Sequence, residues 1–173
     1  MYKEQTSSSC LLFFFRYNAE RIYITFYKME RTLVLIKPDS VQRSIVGEII
    51  KRFEQKGLKI VGLKMMKLKD AILRQHYAHV VGESFFDELS AFMSSSPVVA
   101  LVLEGLESVK VVRTVAGIKP TDMGSIRGDF AVSGQRNVIH SSDSVENAKK
   151  EIERFFSAEE LFDYDKSEWI HIY

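Results

Sequence analysis

Leu33-Val34-Leu35-Ile36 is an unbroken apolar run stopped by Lys37-Pro38-Asp39, the pattern of a buried strand that ends in a turn. Ile45, Val46, Ile49, Ile50 and Phe53 then recur at helical spacing, and Gly57 closes that segment. Lys59 to Leu68 alternates loosely and predicts a second strand. Asp70 is placed to cap a helix running through Leu73 and Tyr77 to about His79. Ser84-Phe85-Phe86-Asp87 has the form of a capping box for another helix, carrying Leu89, Phe92 and Met93. Pro97 to Leu103 predicts a third apolar strand. Val109, Val112 and Ala116 predict a helix ended by Gly117, and the Gly-rich polar stretch 118–136 predicts a loop. Asn137 to His140 predicts a short fourth strand. Ser142, Asp143 or Ser144 opens a last helix with Val145, Ala148, Ile152 and Phe155 on its inner face. The order β-α-β-(αα)-β-α-β-α predicts an α+β domain of ferredoxin-like βαββαβ plan, a four-stranded antiparallel sheet with helices on one face.

Composition sharpens this picture at one end only. The chain has 173 residues, enough for one domain with a sizeable core. Its 24 Lys and Arg against 23 Asp and Glu argue against a basic nucleic-acid-binding domain, so no specific nucleic acid is expected as a partner. One cysteine, Cys10, excludes an internal disulfide framework and fits a cytoplasmic setting. No stretch approaches the roughly 18 apolar residues that span a bilayer, so no membrane partner is expected. Residues 1–28 differ from the rest: they hold eight of the chain's 20 aromatics and none of its nine glycines. Their run Leu11 to Phe15 is too brief for a signal-peptide core, and Arg16, Asn18, Glu20 and Arg21 follow where small residues should stand. We read residues 1–28 as an N-terminal extension, disordered or not native, or as an upstream-start artefact, with an added functional segment as the alternative, and residues 29–173 as the domain.

Fold plan decides nothing about activity, so function rests on side chains. Neither a Walker phosphate loop nor a dinucleotide-binding glycine turn is present. His76 and His79 stand three apart on a predicted helix, but no carboxylate or further histidine lies at ligand spacing, so no protein metal site is expected. His140 ends the apolar pair Val138-Ile139 directly before a helix, whose first turn offers free N–H groups that favour anions. Glu151 lies on the edge of that helix's apolar stripe, where a charge is costly unless partnered. An imidazole bonded to a carboxylate through one nitrogen has the other fixed as nucleophile or base. A core histidine beside a glutamate that reaches water fits the same two residues. Lys37 at a strand end, Arg113 beside an apolar helix face and Arg127 in Gly124-Ser125-Ile126-Arg127-Gly128-Asp129 add phosphate-gripping charges near that histidine.

Several ordered blocks carry a resemblance. Asn137-Val138-Ile139-His140-Ser141-Ser142-Asp143-Ser144 resembles the active-site signature of nucleoside diphosphate kinases. Leu35-Ile36-Lys37-Pro38-Asp39, Gly47 to Glu54, His76-Tyr77, Ser96 to Ala100 and Ile126-Arg127-Gly128-Asp129-Phe130 resemble further family blocks in the family's order, over about residues 30–165. The resemblance implies a ping-pong phosphotransferase in which a nucleoside triphosphate passes its γ-phosphoryl to His140 and a diphosphate collects it. Glu151 would accept a hydrogen bond from the other imidazole nitrogen and Ser142 would bond that glutamate. Lys37, Tyr77, Arg113, Arg127 and Asn137 match residues that hold phosphates and ribose, and Phe85 matches the aromatic under the base. Mg²⁺ would bind through the nucleotide phosphates, and the chain would form a homo-oligomer, a hexamer or tetramer. A catalytically weak nucleotide-binding or scaffold member is the alternative.

Three positions depart from the family pattern. Ser141 replaces a Gly or Ala. Gly134 stands where a branched aliphatic packs the base. The stretch from Gly117 to Arg127 is a few residues short, and its Gly117-Ile118-Lys119 gives the usual phosphate-contacting threonine no clear counterpart; Lys119 or Thr121 could replace it, and neither is assigned the role.

Overall fold

The computed structural model describes residues 29–166. The expected N-terminal extension 1–28 and the tail beyond residue 166, His171 included, lie outside the described residues. Within them a four-stranded antiparallel sheet runs in the order β2-β3-β1-β4. Its strands are β1 (Met29–Ile36), β2 (Lys59–Met66), β3 (Val98–Leu106) and β4 (Ile139–Ser141). This is the ferredoxin-like arrangement expected from the element order.

Helices cover both faces of the sheet, not one. Leu33, Val34, Leu35 and Ile36 are all fully buried, so successive side chains of β1 must enter opposite cores. Leu33 and Leu35 join Leu73, Tyr77, Phe86, Met93, Ile152 and Phe155. Val34 and Ile36 join Ile49, Phe53, Val112, Ala116 and Ile126. The first core lies under α3 (Asp70–His76), α4 (Phe86–Ser94) and α7 (Val145–Phe155). The second lies under α2 (Val46–Gln55), α5 (Ser108–Ala116) and α6 (Ile126–Phe130).

Several boundaries moved for identifiable reasons. Lys37-Pro38-Asp39 is not only a turn. It opens a short α1 (Pro38–Gln42), where the proline occupies the first helical turn that lacks N–H partners anyway. Asp70 is the first residue of α3 and binds Arg74 at 2.7 Å, while the cap is Lys69. That helix ends at His76, and a single 3-10 turn, Ala78–Val80, follows. The Ser84–Asp87 capping box does not form, since Phe85 caps α4 without a side-chain bond. The predicted loop 118–136 contains α6, whose cap Ser125 accepts from the Gly128 N–H at 3.0 Å. β4 starts two residues later than expected, after a left-handed Val138. Ser144, of the three candidates, caps α7 by accepting from the Asn147 N–H. Gly57 ends α2 at φ 78, as its position predicts.

The C-terminal segment returns along β2. The Phe162 N–H donates to the Val61 carbonyl at 2.8 Å, Tyr164 donates to Ile60, and Lys64 pairs with Glu160. Val61 sits at the irregularity in the β2–β3 register, which frees its carbonyl for that contact.

Candidate active site

The pairing of β1 with β4 brings the two ends of the domain together. Leu35 lies opposite His140 and Ile36 opposite Ile139, so Lys37, the next residue along, arrives beside the approach to β4. There Val138 adopts φ 63, a conformation that costs a β-branched residue free energy. Its surroundings hold it. The Val138 carbonyl accepts from the Lys37 N–H at 2.9 Å and the Ser40 hydroxyl at 2.8 Å, and its N–H donates to the Asp39 carboxylate at 3.3 Å. The bend turns Asn137 toward Lys37, whose Nζ donates to Asn137 Oδ1 at 2.6 Å, and Asn137 in turn donates to Gly134.

His140 Nε2 lies 3.1 and 3.2 Å from the two oxygens of Glu151 on α7. Ser142 donates to Glu151 Oε2 at 2.6 Å and itself accepts from the Leu33 N–H at 3.2 Å, which ties the carboxylate to the central strand. Burial alone would push Glu151 up, but the bonds from His140 and Ser142 outweigh it and hold its carboxyl below the ordinary carboxylate range. A carboxylate acceptor fixes the proton on Nε2 and leaves Nδ1 as the free nitrogen of His140. The pair is therefore a bonded dyad, and Glu151 is held by His140 and Ser142 instead of reaching freely into water.

The histidine opens on a cavity of about 660 Å³ lined also by His76, Tyr77, Arg113, Arg127, Asn137, Asp143 and Arg154. Arg127 donates from its two terminal nitrogens to the carbonyls of Gly117 and Ile139, pinning the 117–125 loop to β4. Burial, then the neighbouring Arg113, works against its charge. Lys37 is buried, and burial followed by repulsion from Arg127 lowers it to about 8 although Asp39 opposes the shift. Burial, then Glu151, raises the Tyr77 phenol well above its usual value and keeps it a hydroxyl donor. Among the described residues Lys37, Arg113 and Arg127 form no ion pair, and cationic groups gathered in this way around a histidine suit a polyanionic ligand.

The expected residues are not all equally placed. Tyr77, Arg113, Arg127, Asn137, His140 and Glu151 line the cavity; Lys37 and Ser142 stand directly behind Asn137 and Glu151. Phe85 is outside the lining, 44% exposed at the start of α4. Neither Lys119 nor Thr121 lines the cavity, and Ile118 is the loop residue that does. Asp122 accepts from the N–H groups of Ile118 and Lys119 at 2.7 and 2.9 Å, so the short loop closes on itself.

Sequence reasoning missed Asp143, Asn147, Arg154 and the role of His76. His76 does not pair with His79. It is buried beside His140 and Glu151, and one ligand atom from each of the three lies within 4.8 Å of the others. His76 lies 64 positions from His140 and 75 from Glu151, too far to give a sequence signal for its place in the cluster. The Asp143–Asn147 bond of 2.7 Å is an i,i+4 pair that the helix spacing does offer. A larger, more open groove of about 1180 Å³ lies on the far side of Arg113, between α2, α5 and the loop. It contains no histidine and mixes Arg52, Lys56 and Lys110 with Glu30, Glu107 and Asp122.

Known proteins give the same picture. Residues 30–161 match the family model described as nucleoside diphosphate kinase. The chain is 52% identical over 147 residues to human nucleoside diphosphate kinase A, covering 82% of this chain and 97% of that one. It is 45% identical over 148 residues to a nucleoside diphosphate kinase of Parabacteroides distasonis, covering 84% and 97%. A solved nucleoside diphosphate kinase from Halobacterium salinarum, in complex with CDP, superposes with a TM-score of 0.81 at 40% identity over 84% of this chain and 99% of that one. Agreement of this extent in sequence and in backbone establishes that the chain belongs to the nucleoside diphosphate kinase family.

Proposed function

We propose that this chain is a nucleoside diphosphate kinase that moves the γ-phosphoryl of a nucleoside triphosphate to a nucleoside diphosphate through a phosphohistidine at His140. The observation that carries this reading is the His140–Glu151 contact, which occupies Nε2 and leaves Nδ1 as nucleophile beside Arg113 and Arg127. In the first half-reaction the Nδ1 lone pair attacks the γ-phosphorus, an N–P bond forms and the bond to the β-phosphate oxygen breaks. Glu151 steadies the positive charge that develops on the ring, and Ser142 holds Glu151. A diphosphate entering the same cavity reverses these steps with its own β-oxygen.

Lys37, Arg113, Arg127, Asn137 and the Tyr77 hydroxyl bind phosphates and ribose in this reading. Phosphoryl transfer depends mainly on such positioning and charge neutralisation. The base stacks on the exposed ring of Phe85. The protein groups suit Mg²⁺ only indirectly: Arg113, Arg127 and Arg154 line the cavity, Glu151 is bonded to His140 and Ser142, and Asp143 to Asn147, so the ion would arrive on the nucleotide. Bound there, it would neutralise phosphate charge.

We also propose a homo-oligomer, a hexamer or tetramer, in a cytoplasmic setting. Exposed Leu63 and Met65 on β2 and exposed Ile118 and Met123 on the loop support an association surface. Among the described residues no helix is long and apolar enough to cross a membrane. The family match begins at residue 30, which supports treating residues 1–28 as an extension to one domain at 29–173. The scaffold alternative rests on the shortened loop alone and is not favoured.

The test is incubation with γ-labelled ATP. The wild type should become an acid-labile, alkali-stable phosphoprotein that GDP discharges, and a folded His140→Ala protein should show neither labelling nor transfer. Substantial transfer by pure His140→Ala would refute the mechanism.

A further inference from the structure

His76 is placed at a cost that packing does not explain. Its side chain is 1% exposed, and its Nε2 is buried without a hydrogen-bond partner. An apolar side chain of similar size would avoid that penalty. The ring stands edge-on to His140 at 4.5 Å between centroids, and against Tyr77 at 4.7 Å and Phe155 at 5.1 Å. On its other side Arg154 Nη1 lies 3.3 Å from His76 Nδ1.

An arginine only donates, so this contact makes Nδ1 an acceptor and puts the single proton of the neutral ring on Nε2. That choice matters because Nδ1 also lies 3.9 Å from Glu151 Oε1. A proton on Nδ1 would point His76 at the same carboxylate that His140 uses. The groups facing His76 are Tyr77 and His79 next to it, His140 on β4, and Glu151 and Arg154 on α7. Burial, then His140, Arg154 and His79, outweigh Glu151 and lower His76 to about 3, so the ring is neutral at ordinary pH.

We propose that Arg154 and His76 form a positioning pair that reserves Glu151 for His140 and wedges the His140 ring so that Nδ1 faces the cavity. Neither residue touches the transferred group. Arg154 sets the tautomer of His76; His76 then leaves the carboxylate alone and blocks rotation of the neighbouring ring. The proposal rests on His140 being the phosphoryl acceptor. It adds a reason why one nitrogen is phosphorylated and not the other.

The experiment uses the full chain as wild type, His76→Ala, His76→Gln and Arg154→Met. Phosphoenzyme formation from γ-labelled ATP is followed by rapid quench, and alkaline digestion with chromatography identifies the phosphohistidine isomer. His76→Ala should lose about tenfold to a hundredfold in phosphorylation rate at an unchanged ATP KM, and should yield some Nε2 isomer. His76→Gln retains an acceptor for Arg154 and should recover part of the rate. Arg154→Met should lose less than His76→Ala, because the ring remains. If His76→Ala fails to fold, the Gln and Met variants carry the same test through rate and isomer. Rates within about twofold of wild type with a single isomer throughout, or a loss confined to KM, would overturn the positioning pair. A wild type that forms no phosphohistidine refutes the nucleophile itself, and this pair with it.

Discussion

Replacing Lys37 by Met should make the nucleotide-free protein more stable while abolishing its activity. Lys37 Nζ is buried, donates to Asn137 Oδ1 at 2.6 Å and is repelled by Arg127. Its pKa falls from 10.5 to about 8. That difference corresponds to roughly 3 kcal/mol of destabilisation of the folded state below pH 8. Methionine keeps most of the apolar stem but leaves Asn137 Oδ1 without its donor, which costs about 1–3 kcal/mol. The net gain at pH 7 should be about 1 kcal/mol. Its pH dependence is the sharper signature. Between pH 8 and 10.5 the unfolded chain still holds the proton that folded Lys37 has released, so wild-type stability rises with pH across that window. The variant lacks this rise, and its advantage should vanish and then reverse by pH 10.5. Urea unfolding at pH 7 and pH 10 measures both quantities. A variant less stable than wild type at pH 7 by more than about 1 kcal/mol, or a difference that ignores pH, would refute the reasoning.

Three further outcomes follow from the loop and the base site. Gly128→Ala would place a Cβ 2.0 Å from the Asp122 carbonyl, so it should cost about 1–3 kcal/mol in urea and loosen the loop beside Arg127; a midpoint equal to wild type would contradict this. If the base stacks on Phe85 with Gly134 on its other face, as proposed, discrimination among A, G, C and U diphosphates should be slight, and a preference in kcat/KM of about tenfold or more for one base would count against that site. Because a Cβ at Gly134 meets nothing within 4 Å, Gly134→Val should tighten nucleotide binding. The compact 117–125 loop should give an oligomer that dissociates on dilution more readily than long-loop relatives, with nucleotide binding tightened by a grafted longer loop; light scattering that shows a stable monomer at micromolar concentration would refute the association.

What could be read in the sequence was whatever repeats locally. The unbroken Leu33–Ile36 run signalled a strand, and the amphipathic spacing from Ile45 to Phe53 with Gly57 after it signalled α2. What escaped was either too short to have a period or created by distant residues. α1 and α6 have five residues each, fewer than two turns. The Ser84–Asp87 box failed because pattern alone does not show whether a side chain reaches its N–H. Burial of both sheet faces was implicit in β1, since a strand with one solvated face alternates. Lys37, Arg127, Asn137, His140 and Glu151 were found through chemistry and resemblance, whereas Arg154 sits three residues past Glu151 as an ordinary helix charge. Its contact with His76 exists only after α3 and α7 pack together.

The pairing of β1 with β4 also sets when the cavity comes into existence. Lys37 meets Asn137 across 100 positions, and the Leu33–Ser142 bond that steadies Glu151 spans 109. During synthesis the first half of the sheet therefore emerges without its histidine, and no nucleotide can help it fold. β4 contributes only three residue pairs, Val34–Ser141, Leu35–His140 and Ile36–Ile139. Catalytic competence is thus a late event, reached when the last quarter or so of the domain, β4 and α7 included, leaves the ribosome and closes against its first strand. A chain cut short before α7 would lack Glu151 and also Ile152 and Phe155, so it would have neither the dyad nor a complete core on that face of the sheet.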